Sequence, residues 1–197
     1  MTEQSEKPQD IHSFERDGPD ITIKRAEPND GVGVHDVQIR TWLDTYPNNE
    51  LNISREDIRI RVEGKNGERV ANKGERWRLT IEDPESNVFV AKDGDTVVGF
   101  VAPHYDAENH QHRIGGLYVL PEYQGLGIGK QLIQKSIETH GRNHDIYLHV
   151  VPYNLKTIGF YKKLGFVETG KDVTGSSRGL DDGRYLPEIE MVLPAEQ

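Results

Sequence analysis

Residues 117 to 133 read LYVLPEYQGLGIGKQLI. An apolar run stops at Pro121, and glycines follow at Gly125, Gly127 and Gly129. Helical spacing then begins at once, with Ile128, Leu132, Ile133 and Ile137 on one side. Glycine at a strand-to-helix junction lets main-chain N–H groups converge on an anion. The helix N-terminus adds unpaired donors and a favourable dipole. A phosphate is the natural guest, but two common phosphate loops do not fit. A P-loop aligned on Gly129-Lys130 needs glycine where Gln124 stands and a hydroxyl where Gln131 stands. A dinucleotide fingerprint started at Gly125 needs glycine at Lys130, and its strand comes late, after a hairpin. Taken alone, the glycines are equally compatible with a tight turn.

The surrounding chain reads as one mixed α/β domain without internal repeats. Residues 1–20 are polar and aperiodic and carry six acidic against two basic residues. They read as a disordered acidic tail ahead of a domain over 21–197. Ile21–Arg25 alternates as a first strand. Helices are expected from Asp30 or Gly31 through Tyr46, from Ser54 to about Val62, and near Val70 to Ile81, where Gly74 is a weak point. Gly64 and Gly67 separate the last two. Ser54 and Asp57 form a capping-box variant, with Ile53 and Ile58 placed as a hydrophobic staple. Asn87–Lys92 and Thr96–Pro103 flank Asp93-Gly94-Asp95 as a hairpin. After a polar loop comes a strand over Arg113–Val119, in which Gly115 and Gly116 predict a bulge or a close approach. Another strand spans Ile146–Val151, a short helix ends at Gly165, and a polar loop leads to a last strand over Glu188–Leu193.

A formal charge of −9 and a pI near 5.4 argue against a broad nucleic-acid footprint. The acidic surface suits solubility, or a cationic partner such as an amine. The chain has no cysteine, which removes disulfides, thiolate metal sites and any acyl-cysteine intermediate. No apolar stretch approaches a membrane span, and the N-terminus lacks a signal-peptide core. A soluble, cytoplasmic protein is expected.

The neighbourhood of the loop narrows its guest. Gln124-Gly125-Leu126-Gly127-Ile128-Gly129 has glutamine, two residues, glycine, one residue and glycine, preceded by LYVLPEY. Downstream lies Asn154-Leu155-Lys156-Thr157-Ile158-Gly159-Phe160-Tyr161, followed by Lys162-Lys163-Leu164-Gly165-Phe166. Together these resemble the GNAT superfamily, N-acetyltransferases that use acetyl-coenzyme A, over about Ile21 to Leu193. The resemblance implies a mainly antiparallel sheet flanked by helices, with two splayed central strands. It implies that backbone amides of Gln124, Gly125, Leu126, Gly127, Ile128, Gly129 and Lys130 hold the pyrophosphate. Leu117, Tyr118 and Val119 would run beside the pantetheine arm, and the Val119 N–H would meet the thioester carbonyl. Asn154 would contact the same arm, and Tyr161 would be the general acid toward the departing sulfur. A homodimer is the assembly it implies.

Without cysteine, the amine would attack the thioester directly in a ternary complex. Many members place a glutamate base where this chain has Arg113, which stays protonated. His149 and His112 are the side-chain candidates in its place, with Glu108 and a water chain as alternatives. His104, His110 and His112 raise a metal question, but the spacing fixes no third ligand, and no metal site is expected. Acceptor recognition, by a small-molecule amine or a peptide N-terminus, is expected from the first two helices and the last loop. Trp42, Tyr46, Asp181, Asp182 and Arg184 are the residues to watch. The alternative function is a non-catalytic acyl-coenzyme A sensor.

Overall fold

The computed structural model describes residues 18–65, 74–175 and 179–196. Most of the expected acidic tail, residues 1–17, lies outside them, as do Gly67 and Val70. The first strand is β1 (Ile21–Arg25). A 3-10 turn over Pro28–Asp30 leads into α1 (Gly31–Thr45), which buries Val34, Val37 and Trp42. Ser54 starts α2 (Arg55–Glu63) through a complete capping box. Its hydroxyl accepts the Asp57 N–H at 3.0 Å, and Asp57 accepts the Ser54 N–H at 2.8 Å. Ile53 and Ile58 are both buried in one cluster, as a staple requires. The third helix, α3 (Glu75–Glu82), is shorter than the spacing predicts, and Gly74 stands at its N-cap rather than inside it.

The hairpin consists of β2 (Phe89–Asp93) and β3 (Thr96–Asp106), and β4 (Gln111–Val119) follows. The expected ends at Pro103 and Arg113 are too short. His104↔Arg113, Tyr105↔His112 and Asp106↔Gln111 continue the ladder, because backbone pairing does not require the apolar side chains that mark a strand in sequence. Next come α4 (Ile128–His140), β5 (Ile146–Val150) and α5 (Leu155–Lys163). The segment expected to be a polar loop contains a further strand, β6 (Val167–Asp172), before β7 (Ile189–Leu193). VETGKD hid it by being almost wholly exposed. It pairs only with β7, and such an edge has no apolar alternation to display.

The seven strands form one sheet in the order β1-β2-β3-β4-β5-β7-β6. A Cβ built on Gly99 would lie 3.3 Å from Leu132 of α4, whereas the Phe100 ring sits 5.0 Å from Trp77 of α3. Consecutive strand residues face opposite ways, so α4 covers one face and α3, with α1 against it, covers the other. This double cover explains why β3 is buried from Val97 to Val101. All neighbouring pairs are antiparallel except β4–β5, which is parallel and short. It holds at His112↔Ile146, Arg113↔Tyr147 and Ile114↔Leu148. Beyond that point β4 runs on to Val119, while His149 and Val150 of β5 pair with Glu190 and Ile189 of β7. The two central strands therefore separate into a wedge, as the sequence led us to expect.

Candidate active site

A bulge sets the course of β4 into the wedge. Its register to β3 shifts between Val101↔Leu117 and Pro103↔Ile114, leaving Gly115 and Gly116 opposite one residue. A Cβ on Gly115 would come within 2.9 Å of the His104 ring, and one on Gly116 within 2.9 Å of the Tyr118 ring. Past the bulge, the Leu120 N–H donates to the Val98 carbonyl at 2.9 Å. Leu120 is thus a bonded partner of β3, and alternate residues Val119 and Leu117 point their backbone groups the other way, into the wedge. β5 no longer pairs there, so this is an open strand edge next to the glycine loop.

A 3-10 turn over Pro121–Tyr123 ends β4, and the chain then passes through Gly125 (φ 87°) and Gly127 (φ 79°). Both angles lie in the left-handed region that glycine adopts without strain. The first hydrogen bond of α4 runs from the Gln131 N–H to the Gly127 carbonyl at 3.2 Å. The amides just before it belong to the first turn and have no intrahelical acceptor. The Gln124 amide differs from expectation, because it donates to the Pro121 carbonyl at 3.2 Å. Its side chain braces the loop instead. Nε2 donates to the Val119 carbonyl at 3.1 Å, and Oε1 accepts from Lys156 Nζ at 2.7 Å. Lys130 and Lys156 put positive charge at this end of an otherwise acidic chain.

The wedge opens into a cleft of about 110 Å³. Ile114 to Val119 form one wall and His149 to Val151 another. Asn154, Thr157 and Tyr161 enter from α5, and Thr41, Thr45 and Tyr46 from the α1 side. Asn154 caps α5, its Oδ1 accepting the Thr157 N–H at 3.1 Å. Tyr161 is buried against Phe160 and Phe166, at ring distances of 5.3 and 5.5 Å. A larger hollow of about 620 Å³ lies between α1 and the β2–β3 turn. Among the described residues, its lining sets Asp30, Asp36, Glu63 and Asp95 against a single cation, Arg40, a balance that disfavours a diphosphate.

Of the candidate bases, His149 reaches the cleft and His112 does not. His149 Nε2 takes a hydrogen bond from the Arg113 guanidinium and lies 3.7 Å from Glu190. Glu190, only 3% exposed, also faces Arg113 at 3.9 Å and Lys171 at 3.4 Å. Sequence reading missed Glu190. Its signal was an acid at an inward position of the alternating EIEMVL run. His112 instead meets His140, with the two Nδ1 atoms 3.2 Å apart, and stacks on His144 at 4.5 Å. His140 Nε2 donates to the Arg113 carbonyl at 3.0 Å. Burial holds His112, His140 and His104 below the usual imidazole range. His110 and Glu108 lie in the exposed β3–β4 turn. Of the acceptor-side residues, Trp42 and Tyr46 pack edge to face at 5.0 Å, with Tyr46 lining the cleft. Arg184 bonds Asp182 at 2.6 Å and Asp57 at 3.0 Å, tying the last loop to the start of α2.

The profile of the acetyltransferase (GNAT) family matches residues 38–166. The chain belongs to that family. This GNAT chain is 32% identical over 115 residues to the peptidyl-lysine N-acetyltransferase YjaB of Salmonella typhimurium, a match covering 56% of this chain and 68% of the relative. It is 32% identical over 102 residues to the spermidine N(1)-acetyltransferase of Vibrio cholerae, covering 49% and 58%. It therefore spans little more than half of that relative's length. Its fold is similar to the PaiA N-acetyltransferase of Thermoplasma acidophilum in complex with coenzyme A, with TM-score 0.60, 22% identity and coverage of 86% and 97%. With GNAT membership come the enzyme class and the co-substrate: this is an N-acetyltransferase that uses acetyl-coenzyme A. The catalytic reading stands over the sensor reading.

Proposed function

We propose that the protein transfers an acetyl group from acetyl-coenzyme A to a primary amine by direct attack in a ternary complex, in the cytoplasm. The open edge of β4 beside the glycine loop carries this reading. Amides from Gly125 to Lys130 bind the diphosphate, and Leu117 and Val119 pair with the pantetheine arm as an adjacent strand would. Asn154 contacts the same arm. The Val119 N–H polarises the thioester carbonyl, a role that side-chain substitution barely tests.

The amine nitrogen attacks the carbonyl carbon, a C–N bond forms and the C–S bond breaks. The departing sulfur takes its proton from the Tyr161 phenol. A phenol of pKa about 10 gives its proton to a thiolate of pKa about 8.5 only as the sulfur charge builds, so Tyr161 acts late in the step. The ammonium proton leaves through water. A guanidinium only donates, so the bond from Arg113 occupies the His149 Nε2 lone pair. His112 lies outside the cleft, and neither histidine is assigned as the base.

Release of free thiol across a panel of amines tests the reading. The chain has no cysteine, so a disulfide dye reports only the coenzyme. Amine-dependent release is expected. Saturable coenzyme binding without release on any amine overturns it.

A further inference from the structure

Along the chain, His112 is grouped with His104 and His110. The fold groups it differently. His104 pairs with Arg113 and His112 with Tyr105, so His104 and His112 leave the β3–β4 ladder on opposite faces. His110 stands in the turn, its Nδ1 3.4 Å from the Tyr105 hydroxyl. His112 instead meets His140 from the last turn of α4 and His144 from the loop into β5. Three imidazoles from three parts of the chain thus converge at the closed end of the wedge, where His112↔Ile146 begins the β4–β5 ladder.

The geometry of this cluster suits a metal ion. The Nδ1 atoms of His112 and His140 are 3.2 Å apart. Two nitrogens held at about 2.0–2.1 Å by one tetrahedral zinc lie roughly 3.3 Å from each other, so this pair already spans one edge of such a site. His140 Nε2 donates to the Arg113 carbonyl at 3.0 Å. That bond keeps the proton on Nε2 and leaves the Nδ1 lone pair directed at His112, as the outer partner of a metal-bound imidazole does. Burial favours the neutral form of both rings, and neutral imidazole is the form that ligates. Among the described residues no three such groups stand already arranged around one ion. His144 is the ring that completes the set. It is exposed and stacked on His112 at 4.5 Å, so a turn of its side chain brings a nitrogen to the pair at little cost in packing.

We propose that His112, His140 and His144 form a site for a divalent first-row transition metal of the zinc type, with water in the remaining position. Imidazole suits zinc, nickel and copper, whereas magnesium and calcium prefer oxygen. Zinc replaces the proton between the two Nδ1 atoms, which moves to His112 Nε2. The ion ties β4 to the end of α4 and to the approach of β5. None of the three histidines lines the cleft, so the site is structural and independent of acetyl transfer.

Zinc alone is the probe. Calorimetry on the chelator-stripped full chain at neutral pH should show one ion bound per chain, and the melting temperature should rise as zinc is added. Magnesium should do neither. In NMR spectra of the unsubstituted protein, zinc should move the imidazole resonances of His112, His140 and His144 and leave those of His110 in place. His112→Asn, His140→Gln and His144→Asn should each weaken binding roughly tenfold or more, at least what the loss of an outer partner costs. His110→Asn, the neighbour in sequence, should bind zinc as the parent does. Absent zinc binding, shifts confined to other histidines, or unchanged affinity in any of the three ligand variants overturns the three-histidine site. The NMR arm needs no variant, so it decides the matter even where a substitution unfolds the chain.

Discussion

Tyr161, which we propose acts on the sulfur, and Gly127, which we propose shapes the anion cradle, are separable by substitution. Tyr161→Phe keeps the ring that packs on Phe160 and Phe166 and removes only the proton. Its kcat should fall on the order of a hundredfold, the usual worth of a general acid, with coenzyme affinity near normal. Single-turnover kinetics beside calorimetry checks this, and an unaltered rate reduces Tyr161 to packing. At Gly127 a built Cβ meets nothing within 4 Å, so a new side chain enters open space. Its φ of 79° strains any side chain, so Gly127→Asn, which carries the same backbone cost without the charge, is the control for Gly127→Asp, which sets a carboxylate against the diphosphate. Coenzyme affinity should drop by about tenfold or more. Equal affinity in a folded variant removes the loop from the coenzyme site.

The elements that carry the site were legible because their signals are local. Ser54 with Asp57, Gly127 ahead of α4 and Asn154 ahead of α5 each mark a helix start within four residues. Ser54→Ala should cost about 1 kcal/mol, the worth of one N-cap, read as a shift in the urea midpoint at constant slope. The Gly115–Gly116 bulge was legible too, since paired glycines inside a strand have few other uses. What escaped was set by partners distant in sequence. β6 exists because β7 offers it a ladder, and its own residues show no alternation. Glu190 became a site neighbour only when β7 aligned it with His149. His112, only one residue from Arg113 on β4, was drawn to the end of α4 rather than to the cleft.

Across the whole molecule, that histidine contact joins β4, the last turn of α4 and the approach to β5. A carbonyl only accepts, so Nε2 of His140 carries its proton toward Arg113, and neutral His140 receives the His112 Nδ1–H. Protonating His140 sets N–H against N–H. Burial already lowers the pKa of both rings, so the fold prefers them neutral. Between the lowered values and the usual imidazole pKa of about 6.5, the unfolded chain binds more protons. This stability is present above that range and is lost as pH falls through it. The melting temperature should decline from pH 7.5 to 5.5, and a His112→Asn, His140→Gln double variant should flatten the decline. An equal slope in both proteins removes the cluster from the account.

The sheet brings an open strand edge, a glycine loop and a buried phenol to one wedge, and the account stands on a single ligand lying across all three. Crystals grown with acetyl-coenzyme A test it most directly. The diphosphate should lie within hydrogen-bonding distance of amides between Gly125 and Lys130, with the thioester oxygen at the Val119 N–H. A coenzyme bound elsewhere, with that edge and loop left to solvent, would contradict the account.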